Sequence, residues 1–78
     1  MNNSAVRQSI ACLVSLITAR AAAVGRTVEA EIDIDHRGRE LIFFVDRDET
    51  VSSDLPCLVI ENNVEGLEAL ILHFGEYL

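Results

Sequence analysis

The residues best placed to do chemistry in this chain are carboxylates at alternate positions. In Val28-Glu29-Ala30-Glu31-Ile32-Asp33-Ile34-Asp35-His36, apolar and acidic side chains alternate without interruption. A period of two is that of a β-strand, so Glu29, Glu31, Asp33 and Asp35 are expected on one face and the apolar residues on the other. Successive carboxylates would lie about 6.6–6.8 Å apart, twice the rise per residue. That is close to the phosphate interval along one nucleic-acid strand, whose axial rise is about 3.4 Å per charge but whose path is longer. Such a row can occupy a basic groove built for DNA or RNA. The plainer reading is the polar face of a half-buried antiparallel sheet. No Thr, Ser or Lys interrupts the row, which favours a role in binding.

Other reactive residues lack the company that catalysis needs. Asp46-x-Asp48 resembles the start of a calcium loop, but Thr50 and Val51 stand where an EF-hand needs a ligand and a glycine, so a solvated acidic turn is expected. His36 and His73 have no second ligand at metal spacing and are expected to be exposed. Cys12 and Cys57 form no CxxC or Cys/His pattern and are expected to be reduced core thiols. Ser52-Ser53 carries no nucleophile elbow, and there is no glycine-rich phosphate loop. A catalytic carboxylate pair needs a cleft that separates its pKa values, and a chain of this size has little volume for one. The expectation is a protein that is not an enzyme and uses no metal or cofactor.

Charge sharpens the partner class. The chain of 78 residues has a formal net charge of −7 and no lysine. Residues 1–26 hold three arginines and no acid (net +3), and residues 27–78 hold three arginines against all thirteen acids (net −10). So acidic a surface is repelled by phosphate, which argues against direct nucleic-acid or anionic-membrane binding. It steers the chain towards a basic partner.

The elements that must position these residues follow from periodicity. Val6, Ile10, Leu13, Val14, Ile17, Ala21 and Val24 recur at helical spacing, so a helix is predicted over about 4–24, stopped by Gly25. A second stripe, Cys12, Leu16, Ala19 and Ala23, is expected to lie under the second helix, or else to form a dimer seam. Arg7 and the apolar run 10–17 imitate a secretory signal, but Ser15, Thr18 and the helical period favour a retained helix, and the run is short for a membrane span of about 20 residues. Strands are predicted from Val28 to about His36, over Leu41–Val45, and over Leu55–Glu61 with Pro56 at its start. A two-residue loop in the first hairpin would set Asp35 opposite Glu40. A three-residue loop, His36-Arg37-Gly38, pairs Asp35 with Arg39 and is preferred. Leu41, Phe43 and Val45 then join the acidic row. Asn62-Asn63 begins the second helix, Asn62 with Glu65 resembling a capping box. Val64, Leu67, Leu70, Ile71, Phe74 and Leu78 form its buried face, and Gly66 and Gly75 weaken it slightly.

The expected fold class is α+β, in the order α-β-β-β-α, as a single small domain over 1–78. A three-stranded antiparallel sheet would carry both helices on one face. Double-stranded RNA-binding domains resemble it in that order alone. They present basic residues where this chain has Glu65 and Glu68, so RNA binding is not inferred.

The expected partner-binding residues are Glu29, Glu31, Asp33 and Asp35 with Leu41, Phe43 and Val45, together with Glu65, Glu68 and Leu72 on the second helix. Mixed acidic and exposed apolar residues suit a protein interface. The expected function is that of a small acidic inhibitor, cytoplasmic, that occupies the basic surface of a nucleic-acid-handling protein. Small acidic anti-defence proteins of phages and mobile elements, anti-CRISPR proteins among them, fit that description as a class. The second reading is a homodimeric adaptor or chaperone-like module.

Overall fold

The computed structural model describes residues 3–48 and 56–78. Helix α1 (Asn3–Ala23) leads into strands β1 (Val28–Ile34), β2 (Glu40–Asp46) and β3 (Leu58–Glu61). Helix α2 (Val64–Phe74) follows and tightens into a 3-10 turn, Gly75–Tyr77. The strands form an antiparallel meander in the order β1-β2-β3, with both helices on one face. This is the expected α+β architecture.

The hairpin register is the one that charge pairing favoured. Ile34 lies opposite Glu40, and Asp35 N donates to Arg39 O at 2.9 Å, closing the three-residue loop. Gly38 takes a φ of +82°, a left-handed conformation that costs glycine little. Even-numbered residues of β1 and β2 therefore face the helices, and odd-numbered residues face away.

The core gathers Val6, Ile10, Ile17 and Ala21 of α1 with Val28, Ile42, Phe44 and Ile60 of the sheet and Leu70, Phe74 and Tyr77. Phe44 and Phe74 meet with ring centroids 5.2 Å apart. Tyr77, not Leu78, completes this cluster, and Ile71 is 47% exposed. The 3-10 turn explains the shift: residues three apart eclipse there, so Tyr77 falls beneath Phe74. Arg20 of α1 secures the turn, donating to Tyr77 O at 2.7 Å and Leu78 O at 3.3 Å.

Other expectations need correction. The small-residue stripe of α1 is not covered by α2: Cys12, Ala19 and Ala23 are exposed and Leu16 half-buried. Cys12 is thus a surface thiol, while Cys57 packs beside the core, and no disulfide joins the two. The helical span Ser4–Ala23 is, by length and composition, long and apolar enough to cross a membrane. The cap of α2 is Asn63, whose Oδ1 accepts from Gly66 N at 2.9 Å, one residue beyond the expected box. Gly66 is a close-approach residue: a Cβ there would sit 1.7 Å from the Glu61 carbonyl oxygen. β3 begins at Leu58, so Pro56 and Cys57 precede it, and Leu55 lies outside the described residues.

Candidate functional site

The face of the sheet turned away from the helices is the place where the expected residues come together. Glu29 lies opposite Val45, Glu31 opposite Phe43 and Asp33 opposite Leu41. On the far side of β2, Phe43 lies opposite Val59 and Leu41 opposite Glu61. Two stripes therefore cross the sheet, Glu31–Phe43–Val59 and Asp33–Leu41–Glu61. Leu41, Phe43 and Val45 are half-buried, and Val59 is 44% exposed.

The four carboxylates of β1 are not equivalent. Glu29 is held by Arg47, with the guanidinium 2.9 Å away. Asp35 belongs to the hairpin: Oδ1 accepts from the N–H groups of Arg37 and Arg39, each at 2.9 Å, and Oδ2 pairs with the Arg39 guanidinium at 2.8 Å. Its pKa is lowered, chiefly by the Arg39 N–H, with the Arg39 side chain and the Arg37 N–H adding against a cost of desolvation. Arg39 is correspondingly raised by Asp35 and also reaches Glu61 at 3.0 Å. Arginines thus close both ends of the row. Glu31 and Asp33, in the middle, are exposed and meet no cation among the described residues. Asp33 Oδ1 instead accepts from the backbone N–H of Ile34 at 2.8 Å.

The helix-facing side of β1 departs from expectation. Val28 is buried, yet Ile32 is 65% and Ile34 64% exposed. α1 covers the start of β1. Near the hairpin α1 reaches β2 through a long side chain, Arg7, which pairs with Glu40. A groove of about 190 Å³ remains between α1 and the strand, with Ile10, Ala11, Val14, Ala30, Ile32 and Ile42 in its wall. Ligand pockets for small molecules start at about 300 Å³, so this groove suits a side chain. Asn62 stands at its polar end: Nδ2 donates to Glu40 Oε2 at 3.0 Å, while the buried Oδ1 has no partner among the described residues.

The helix 2 residues do not join this face. Glu65 shares a shallow depression with Val59 and Glu61 at the β3 edge. Glu68 and Leu72 are exposed on α2, Leu72 at 88%, on the helical side of the sheet. His36 and His73 are exposed, as expected, and His73 sets its ring against Phe74 with centroids 4.7 Å apart.

Asp46 is not part of a solvated turn. It ends β2 at 8% exposure and is ion-paired with Arg26, whose pKa this carboxylate raises. Asp46 Oδ1 also accepts from Asp48 N at 3.0 Å, and Asp48 Oδ2 accepts from Thr27 N. These contacts tie the α1–β1 connection to the end of β2. Thr50, Val51, Ser52 and Ser53 lie outside the described residues. Among the described residues, no three His, Cys, Asp or Glu side chains gather where they could hold a metal ion.

Sequence reasoning missed the exposed isoleucines and the role of Arg47. The register holds a signal for Arg47: its N–H donates to Thr27 O at 2.9 Å, which puts it diagonal to Glu29. Comparison with family models, curated proteins and solved structures finds no match for the chain.

Proposed function

We propose that this chain is a small acidic, non-enzymatic binding protein that inhibits a protein partner by occupying its basic, nucleic-acid-binding surface. Small acidic proteins of phages and mobile elements that disable host defence, anti-CRISPR proteins among them, often fit this description and serve here as an analogy of class. The observation that carries the reading is the pair Glu31 and Asp33, which meet no cation among the described residues and lie beside Phe43 and Leu41, while arginines take up the carboxylates at either end. Two adjacent exposed acids on one strand repel each other weakly, and a basic partner relieves that repulsion. The half-buried apolar residues beside them supply area that charge alone does not. No nucleic acid, membrane or cofactor takes part in this reading.

The test is charge reversal. Glu31→Arg/Asp33→Arg is expected to abolish salt-sensitive capture of a basic, nucleic-acid-handling protein while leaving the thermal midpoint unchanged. Undiminished capture by the reversed protein overturns the reading. A second reading, a homodimeric adaptor, draws on the open apolar depression between the helices, where Cys12 and Leu13 meet Leu67 and Ile71. Sizing in solution checks it: a dimer that persists after Phe43→Asp places the seam on the helices rather than on the sheet.

A further inference from the structure

We infer that the free edge of β1 receives an extended segment of that basic partner as a fourth strand, one in which Arg or Lys alternates with large aliphatic residues. The inference rests on the reading above and specifies how the acidic face would be engaged.

The backbone supplies the first half of the argument. β1 is an edge strand. At one end Thr27 O accepts from Arg47 N, and at the other Asp35 N donates to Arg39 O, each at 2.9 Å. Odd-numbered residues of β1 therefore bond inwards to β2. Strand alternation sends the N–H and C=O groups of Ala30, Ile32 and Ile34 to the open side. The Ile34 N–H shows what that side lacks, since it has turned to the Asp33 carboxylate at 2.8 Å. Proteins usually blunt such an edge with charged side chains, lysine above all, or with proline, a bulge or a very short strand; the charges on β1 are all acidic, which repels another acidic strand and admits a basic one. β1 is seven residues long, holds neither proline nor lysine, and pairs with β2 in unbroken register.

The side chains supply the second half. An added strand sets each residue beside a β1 residue on the same face. Residues beside Glu31 and Asp33 meet two carboxylates that no cation holds among the described residues, so basic side chains fit there. The residue between them lies beside Ile32 and faces the groove of about 190 Å³ walled by Ile10, Ala11 and Val14. An aliphatic side chain fits that position, and the exposed Ile34 extends the apolar side. The pattern read by the edge is thus basic-aliphatic-basic-aliphatic. A second copy of this chain fits poorly, because two antiparallel β1 strands would bring their Glu31 and Asp33 residues together. Main-chain bonds supply affinity in strand addition, and alternate side chains supply specificity.

The probe is a short, end-blocked peptide in which Arg alternates with Ile and Val, titrated into the intact chain and followed by amide hydrogen exchange. Saturation is expected to slow exchange at Ala30 and Ile32 by about fivefold or more, with Glu29 and Glu31 unchanged because their N–H groups already bond to β2. Methylating the peptide nitrogens that face β1 is expected to weaken binding on the order of tenfold without altering the protein. A peptide of the same composition with its arginines in one block is expected to bind more weakly and to leave Ala30 and Ile32 unprotected. If the blocked-charge peptide binds as tightly and exchange at Ala30 and Ile32 is unchanged, strand addition is wrong and the acidic face remains a cation-binding surface. If neither peptide binds, both the inference and the reading beneath it fall.

Discussion

The two edges of the sheet are built to different standards. At the β3 edge the strand is four residues long and α2 starts directly from it. Gly66 is pressed against the Glu61 carbonyl, Asn63 caps the helix, and Asn62 bonds to Glu40 through both its backbone and its side chain. At the β1 edge the strand is longer, two isoleucines stand in the open, and two carboxylates meet no cation among the described residues. Tight packing thus concentrates where β2, β3 and α2 meet. The outer half of the hairpin relies on pairing with β2 and on arginine bridges. Substitutions on the two sides should separate accordingly, into those that cost stability and those that cost binding.

The largest contrast is expected between adjacent residues on opposite faces of β2. Phe44 is fully buried against Phe74, so Phe44→Ala should cost about 3–5 kcal/mol in urea unfolding. Phe43 faces the acidic side, and Phe43→Thr, which keeps a strand-favouring side chain, should cost about 1 kcal/mol or less. Comparable losses in the two variants would mean that the outer face is covered.

Next comes the helix–strand contact at the β3 edge. Alanine normally stabilises a helix relative to glycine by about 0.8–1.0 kcal/mol. At Gly66 the added Cβ meets a backbone carbonyl, so Gly66→Ala should destabilise by about 3 kcal/mol. Gly75, with nothing within 4 Å of a Cβ, should accept alanine without loss. Thermal or urea unfolding of this pair measures the contact.

A smaller effect belongs to the hairpin. Asp35 has a folded pKa below its ordinary value of 3.8, so its charge contributes stability above that pH. That contribution is lost as the pH falls from there through the lowered folded value. Asp35→Asn keeps an oxygen for the Arg37 and Arg39 N–H groups but no charge for the Arg39 guanidinium. Its stability is expected to fall less steeply than the parent's in an acid titration below that pH. An unchanged acid slope would show that the pairing contributes nothing. The smallest effect on folding is expected from Glu31→Arg/Asp33→Arg, within about 0.5 kcal/mol of the parent, since both residues are exposed and meet no cation among the described residues. A larger loss would give these acids a part in the fold.

The hairpin was legible in the sequence because two independent constraints agree there. Gly38 suits the left-handed position, and only the three-residue loop sets Asp35 against Arg39. That register fixes which side chains share a face, including Phe43 with Glu31. Coverage was not legible. Alternation assigns Ile32 and Ile34 to the helical face, but the path of α1 over that face decides whether they are buried, and strand periodicity carries no record of it. Gly66 reads as a mild helix breaker because its function depends on how near α2 comes to Glu61. Asp46 reads as part of an acidic turn because its partner, Arg26, lies on the other side of β1 in the sequence. Tyr77 entered the core through a change from α to 3-10 winding, which shifts the buried position by one residue.

The central claim, that β1 keeps an open and chemically two-sided edge, is tested most directly by residue-resolved amide exchange of the free protein over a range of concentrations. The expected result is an alternating pattern: slow exchange at Glu29, Glu31 and Asp33, whose N–H groups face β2, and fast, concentration-independent exchange at Ala30 and Ile32. Protection of Ala30 and Ile32 equal to that of their neighbours would contradict the claim, and protection that grows with concentration would show that a second copy already occupies the edge.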